Sequence, residues 1–224
     1  MGNSGLSGVE LRDFDRWELG LLEKMFRDLA KRSPGKTMDK ATFLALFKLP
    51  GMLGERLFRV FDQKKNGVID WEEFLDGMKV YSRGSIDEKL TMLFKMVDLA
   101  GDNVVHPDEL STILSSLLSP SLLLDAASIS EERVMETQAA VQVIVKNAFE
   151  TCDPEGTNNL SFDQFRRWLE MNPEISDVCR VFARFSDERI ETRNSISDTY
   201  LGCISFSATY FISGTIIFQN NGHR

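Results

Sequence analysis

Apolar residues recur at helical spacing in several short segments of this chain, and polar stretches separate these segments. From residue 15 to 31 the apolar positions fall on one face of a predicted amphipathic helix. They are Trp17, Leu21, Leu22, Met25, Phe26 and Leu29. Similar apolar segments flank three later polar stretches, 62–73, 98–109 and 153–164. Because one helix–loop–helix frame repeats, the pattern predicts an all-α protein of four such units in two pairs, with the first unit degenerate.

The polar stretch 62–73 has the spacing of an EF-hand calcium loop. Such a loop supplies oxygen ligands from positions 1, 3, 5, 7, 9 and 12, and a glycine at position 6 allows a sharp turn. Gly67 stands at that place, and Ile69 stands where paired loops form a short β-bridge. The predicted ligands are Asp62, Asn66, the carbonyl oxygen of Val68, Asp70 and Glu73. Lys64 occupies position 3, so we expect water to replace one ligand and the site to be weakened.

The first loop lacks most ligand oxygens and contains the turn signal Pro34-Gly35. Aligning Phe26 and Leu29 with the two phenylalanines before residue 62 leaves thirteen residues, 30–42, where a calcium loop has twelve. We therefore expect a degenerate first loop with one inserted residue. Such a unit is retained because each hand of a pair covers the apolar face of the other.

The third loop, 98–109, keeps part of the ligand set. Asp98, Asp102, the carbonyl oxygen of Val104 and Glu109 are the candidate calcium ligands. Ala100 offers no oxygen at position 3, and Asn103 replaces the glycine, which is tolerable because Asn adopts positive φ readily. His106 at position 9 is expected to be a bystander, since calcium prefers oxygen. Both a filled and an empty loop are compatible with this sequence.

The fourth loop, 153–164, is complete except at its end. Asp153, Glu155, Thr157, the carbonyl oxygen of Asn159 and Ser161 fill the first five ligand positions. Gln164 replaces the bidentate glutamate and removes one negative charge. We expect lower calcium affinity there, or a preference for Mg²⁺.

Extra length separates the third and fourth loops. Pro120 disfavours helix in the residue before it, so 119–127 is predicted to be a linker. Ser128 and Glu131 resemble a capping box, which predicts a long helix from there to Phe149.

Composition excludes some functions. The formal net charge is −8, with 26 basic and 34 acidic residues, which argues against nucleic-acid binding. Three cysteines in no paired spacing favour a reducing, cytoplasmic setting.

The predicted division of the chain is a flexible start (1–14), a first pair of units (15–82), a second pair (83–185) and a tail (186–224).

Both ends of the chain have features that are found in membrane attachment. Gly2 is a candidate N-myristoylation site, although Leu6 stands where the signal has Ser or Thr; an unmodified flexible start is the alternative. No basic cluster follows, so a single acyl chain would give only marginal, peripheral membrane binding. Residues 199–220 carry no charge, and they suit either a C-terminal anchor or strands of an incomplete further domain.

Residues 15–185 resemble the four-hand calcium sensors, which include the calcineurin B-like proteins, calcineurin B and the neuronal calcium sensors. The match is strongest from Phe61 to Phe74, including the lysine at position 3, and continues in Glu88-Lys89-Leu90 and in Trp168-Leu169 before Asn172-Pro173. The resemblance implies that calcium opens helix pairs, and that an apolar groove then binds an amphipathic helix of a kinase, phosphatase or channel. Met78, Met92 and Met96 could line such a groove or belong to the core.

Two functional hypotheses follow. The first is a non-enzymatic calcium sensor that modulates a target protein. The alternative is a constitutive regulatory module of a larger enzyme with little calcium response, because the EF-hand regions that precede some ubiquitin-specific proteases and TLDc domains look similar. A catalytic role is not expected, since two histidines and no nucleophile–base pair offer little chemistry.

Overall fold

The computed structural model describes residues 14–31, 33–47, 49, 52–118 and 130–172. Within these ranges the protein is mostly helical, which confirms the predicted all-α class. The helices are α1 (Arg16–Ala30), α2 (Lys40–Leu46), α3 (Leu53–Phe61), α4 (Trp71–Arg83), α5 (Ile86–Val97), α6 (Pro107–Leu117), α7 (Glu131–Cys152) and α8 (Phe162–Met171). A 3-10 turn covers Pro34–Lys36, and two short strands are β1 (Met38–Asp39) and β2 (Val68–Ile69).

In the first pair of hands, each helix that leaves a loop begins at a side-chain cap at loop position 9. Asp70 accepts a hydrogen bond from the backbone N–H of Glu73 at 3.0 Å, and Asp39 accepts one from Thr42 at 2.8 Å. These carboxylates satisfy N–H groups that have no partner within the helix. The loop sequence therefore fixes where α2 and α4 begin.

Strand pairing joins the first two hands and corrects the predicted length of the first loop. β1 and β2 are antiparallel, with Met38 opposite Ile69. Counting from this pair makes 31–42 the equivalent of 62–73, so the first loop has twelve residues, and the predicted thirteen-residue loop, 30–42, is wrong. The buried residues of α1 agree with this register, because Leu22, Phe26 and Ala30 correspond to Leu53, Leu57 and Phe61 of α3. Small Ala30, rather than Leu29, takes the place of Phe61.

An isolated β-bridge joins the other two hands. The backbone N–H of Val105 donates to the carbonyl oxygen of Leu160 at 2.8 Å, and the N–H of Leu160 donates back to Val105 at 2.8 Å. Both residues stand at loop position 8, as Ile69 does. The paired arrangement of the third and fourth hands follows from this bridge.

The buried side chains of both pairs form one hydrophobic cluster. In the first pair, Phe43 stacks on Phe47 at 4.4 Å between ring centroids and meets the edge of Phe61 at 5.1 Å. The three methionines considered for a groove, Met78, Met92 and Met96, are all buried in this structure. In this structure these three side chains are therefore not accessible to a partner.

The long helix of the fourth hand differs slightly from its prediction. α7 runs from Glu131 to Cys152, and Ser130 caps it by accepting a hydrogen bond from the backbone N–H of Arg133 at 3.3 Å. The predicted linker 119–127, the acylation candidate Gly2 and the tail 186–224 lie outside the described residues. Among the helices that the structure describes, none has the length and apolar character needed to cross a membrane.

Candidate metal centre

The loop 62–73 is held in shape by its own carboxylates. Asp62, 7% exposed, accepts hydrogen bonds from the backbone N–H groups of Asn66 at 3.0 Å and Gly67 at 2.8 Å. Gly67 has φ of 81°, the positive value expected at position 6. The first predicted ligand is therefore fixed inside the turn.

Glu73 closes the same loop from its other end. Its side chain is buried, with Oε1 accepting from the N–H of Lys64 at 2.8 Å and Oε2 accepting from the N–H of Asp70 at 3.1 Å. A bidentate glutamate at position 12 has to place both oxygens towards the loop. Here both oxygens already face the loop backbone at positions 3 and 9.

Lys64 adds a positive charge inside this loop. Its ammonium group contacts the carboxylate of Asp70 and lies 3.7 Å from that of Glu72. The hydrogen bond with Asp70 raises the pKa of Lys64, and the same bond lowers the pKa of Asp70. The lysine thus pairs with one predicted calcium ligand, Asp70. From the sequence we expected only a positive charge near the metal site.

The third loop repeats the geometry of the second. Asp98 accepts from the backbone N–H groups of Gly101 at 2.6 Å and Asn103 at 2.9 Å, and Asn103 has φ of 66°. Glu109 is buried and accepts from the N–H groups of Ala100 and His106, both at 2.8 Å. Asn therefore serves where glycine is usual, and the position-12 carboxylate folds over the loop as Glu73 does.

His106 bridges the third and fourth loops. Its Nε2 lies 3.1 Å from Oδ2 of Asp102, and its Nδ1 lies 3.4 Å from the carbonyl oxygen of Asn158. The hydrogen bond with Asp102 raises the pKa of His106 and lowers that of Asp102. The predicted ligand at position 5 is therefore engaged by the residue at position 9.

The fourth loop is organised around its first residue. Asp153 accepts from the backbone N–H groups of Thr157 at 3.1 Å and Asn158 at 2.7 Å, and from the Thr157 hydroxyl at 2.9 Å. Burial opposes ionisation of Asp153, but these hydrogen bonds outweigh it and lower the pKa. Gln164 Oε1 accepts from the backbone N–H of Ser161 at 2.8 Å. Glu73 and Glu109 accept the equivalent hydrogen bond from the backbone N–H at position 9 of their loops. Glu155, also a predicted ligand, is exposed.

The first loop shows no comparable ligand set among its described residues. Asp39 is occupied in capping α2, while Ser33 Oγ lies 3.4 Å from the hydroxyl of Thr42 and accepts from the N–H of Asp39 at 3.3 Å. Thr42 stands at position 12, where a bidentate carboxylate would be needed.

The donor chemistry of loops 62–73 and 98–109 fits a hard cation. Each loop has buried carboxylates at positions 1 and 12 that face the same short arc of backbone. Carboxylate, amide and carbonyl oxygens are the ligands that calcium takes. Among the described residues, however, no three His, Cys, Asp or Glu side chains converge closely enough to hold a metal ion. The remaining predicted ligands, among them Asn66 and Asp102, are held by hydrogen bonds within their loops.

A buried arginine that the sequence did not point to joins the two pairs of hands. Arg56 of α3 is 6% exposed; its Nε donates to the carbonyl oxygen of Met96 at 2.7 Å, and its Nη2 contacts that of Asp98. A cation at a helix C-terminus is favourable, because the last carbonyl groups have no partner within the helix. Burial lowers the pKa of Arg56. This residue holds the end of α5 where the third loop begins.

Comparison with known proteins agrees with this geometry. Residues 56–81 match the EF-hand domain pair family. Calcineurin B of Candida glabrata is 31% identical over 167 residues, which cover 72% of this chain and 85% of that protein. A recoverin family protein of Dictyostelium discoideum is 25% identical over 181 residues, which cover 75% of this chain and 80% of that protein. The calcium-binding protein NCSA of the same organism is 34% identical over 108 residues, which cover 46% of this chain and 56% of that protein. The chain belongs to the superfamily of EF-hand calcium sensors that includes calcineurin B and the recoverin-type proteins.

Proposed function

We propose that this chain is a non-enzymatic calcium sensor that binds and modulates a target protein. The observation that carries the proposal is the matched geometry of loops 62–73 and 98–109. In both loops, buried carboxylates at positions 1 and 12 are directed at one short arc of backbone by hydrogen bonds to loop amides. Oxygen ligands in such an arc suit Ca²⁺.

The proposed calcium ligands are those at the template positions. In the second loop they are Asp62, Asn66, Val68 O, Asp70 and Glu73; in the third they are Asp98, Asp102, Val104 O and Glu109. The fourth loop would use Asp153, Glu155, Thr157 and Asn159 O. Without a glutamate at position 12, this last loop is the one where Mg²⁺ could compete.

Bound calcium would supply the positive charge that these oxygens hold, and ligands that now pair with a neighbouring side chain would first have to leave it. In the second loop, Lys64 must release Asp70 before that carboxylate can serve the ion. In the third loop, Asp102 must leave His106. The glutamates at position 12 also cap the exit helices, since Glu73 and Glu109 accept from the backbone N–H at position 9. A movement of Glu73 would therefore change the first turn of α4, and a movement of Glu109 would change the first turn of α6.

The response would expose apolar surface between α4 and α5. Met92 and Met96 lie there against Tyr81 and the buried Lys89, whose pKa is lowered by burial. Methionine side chains adapt to different partners, so they suit a groove for an amphipathic helix. Because the chain belongs to the four-hand calcium sensors, we propose a kinase, phosphatase or channel as the class of target.

Methionine methyl groups provide the test. In the full chain labelled at methionine methyls, we expect calcium to increase the relaxation of Met92 and Met96 by a soluble nitroxide. Met38, which is buried in the loop pair, serves as control and should not respond. Equal relaxation with calcium and with chelator would contradict the sensor proposal. A partner captured equally well in chelator would support the constitutive regulatory module instead.

A further inference from the structure

A half-open cavity of about 480 Å³ lies between α1, the degenerate first loop and the first residue of α4. Its apolar lining comes from Phe26 and Ala30 of α1 and Trp71 of α4. Charged side chains also line it: three are basic, Arg27, Lys31 and Lys36, and one is acidic, Glu23, which pairs with Arg27. The volume is within the range of sites that enclose a ligand or one large side chain, roughly 300–1,000 Å³.

The charge of this region is opposite to that of the whole chain. Between Lys24 and Lys40 the sequence has six basic residues and two acidic ones, whereas the complete chain has a formal charge of −8. The second, third and fourth loops begin with an aspartate, and the first begins with Lys31. Where the loop lost calcium ligands, it thus carries cations beside an apolar cavity.

The existing ion pairs of these cations are weak. Arg27 lies 2.6 Å from Glu23 and Lys31 lies 2.9 Å from Asp28, and each of the four side chains is at least 55% exposed. Exposed pairs of this kind contribute little, so a stronger anionic partner can replace them. Lys36 is also exposed, at the end of the 3-10 turn.

The apolar part of the cavity offers an aromatic contact. The rings of Phe26 and Trp71 lie 5.6 Å apart between centroids at an angle of 60°. Trp71 is only half buried, so part of its indole remains accessible from the cavity. An aromatic side chain inserted here would gain both burial and a favourable ring geometry.

We propose that this cavity binds an acidic peptide segment of a partner protein, with one aromatic side chain inserted and carboxylates beside it. A peptide fits better than a single small anion, because the cations are spread over α1 and the first loop. It fits better than an anionic membrane, because the cavity is concave and the net charge of the chain is repelled by such a surface. The site requires no calcium and does not rest on the proposed sensor function.

The test uses a seven-residue peptide with phenylalanine at its centre and aspartate or glutamate at the other six positions. The ¹⁵N-labelled full chain is titrated once in saturating calcium and once in chelator, and the indole N–H signals are followed. We expect the Trp71 signal, assigned with Trp71→Phe, to move in both conditions. Trp17 and Trp168 lie outside the cavity, and their signals should stay in place. A peptide with serine instead of phenylalanine should bind about tenfold more weakly.

Charge reversal separates the site from general attraction. We expect Lys31→Glu combined with Lys36→Glu to weaken peptide binding by about tenfold or more. The matched control, Arg133→Glu combined with Lys146→Glu, reverses two exposed charges on α7 and should leave binding unchanged. An unmoved Trp71 signal, equal effects of the two double variants, or binding of anionic lipid vesicles but not of the peptide would each overturn the proposal.

Discussion

The sharpest prediction about packing concerns Gly77, in the interior of α4. A Cβ atom added there would lie 2.4 Å from Cδ1 and Cε1 of the Phe61 ring. The ring is fully buried and meets Phe43 and Phe47 at 5.1 and 5.6 Å between centroids, so it has little room to move away. We therefore expect Gly77→Ala to disturb the packing of α3 against α4.

The magnitude follows from two opposing terms. Overpacking a well-filled core costs about 1–3 kcal/mol, while replacing glycine by alanine within a helix gains about 0.5–1 kcal/mol. The net expectation for Gly77→Ala is a loss of about 1–2 kcal/mol in the free energy of unfolding. Phe61 directly precedes the first calcium ligand, Asp62, so weaker calcium binding should accompany the loss.

Gly20 provides a control with the same chemical change. It is exposed within α1, and a Cβ atom there would have nothing within 4 Å. Gly20→Ala should therefore raise the free energy of unfolding by about 0.5–1 kcal/mol. Urea denaturation in chelator, followed by circular dichroism, measures both variants. Equal stabilisation by the two substitutions would refute the packing argument.

Three further predictions concern charges near the loops. Lys64→Asp should raise calcium affinity by about tenfold in titration calorimetry, because it removes a competing cation and adds an oxygen ligand; Lys65→Asp, at the next position, should have a much smaller effect. Arg56→Met should lower the free energy of unfolding by about 2–3 kcal/mol in urea denaturation, since buried carbonyl groups lose their donor, whereas Arg59→Met on the exposed side of α3 should change it little. An NMR titration in chelator should give His106 a pKa above the ordinary value for histidine, because of its hydrogen bond with Asp102, and calcium should lower that pKa by taking the carboxylate that the imidazole contacts. Unchanged affinity in Lys64→Asp, equal losses in the two arginine variants, or a His106 pKa at its ordinary value would each contradict the corresponding interpretation.

Features set by local spacing could be predicted from the sequence. The positions of Asp62, Gly67 and Glu73 follow a fixed loop template, and the strand pair confirms the predicted place of Ile69. The helices were predictable for the same reason, because apolar periodicity and capping residues act over only a few positions.

Features set by tertiary packing could not be predicted. The register of the first loop differs by one residue from its sequence prediction, because that loop lacks ligands and small Ala30 carries little apolar signal. Arg56 joins segments about forty residues apart, so its hydrogen bonds to the end of α5 leave no local pattern. The contact between Lys64 and Asp70 depends on the direction of a long side chain, whereas the sequence indicated only a nearby charge.

In the proposed sensor, calcium binding by the loop 62–73 depends on Glu73. Titration calorimetry of the full chain in physiological magnesium tests it with two neighbouring variants, Glu73→Gln and Glu72→Gln. Glu73 is buried over the loop, whereas the side chain of Glu72 is 83% exposed. We expect one calcium-binding event to disappear in Glu73→Gln and to persist in Glu72→Gln. Identical isotherms for the wild type and both variants would show that the loop does not bind calcium through Glu73.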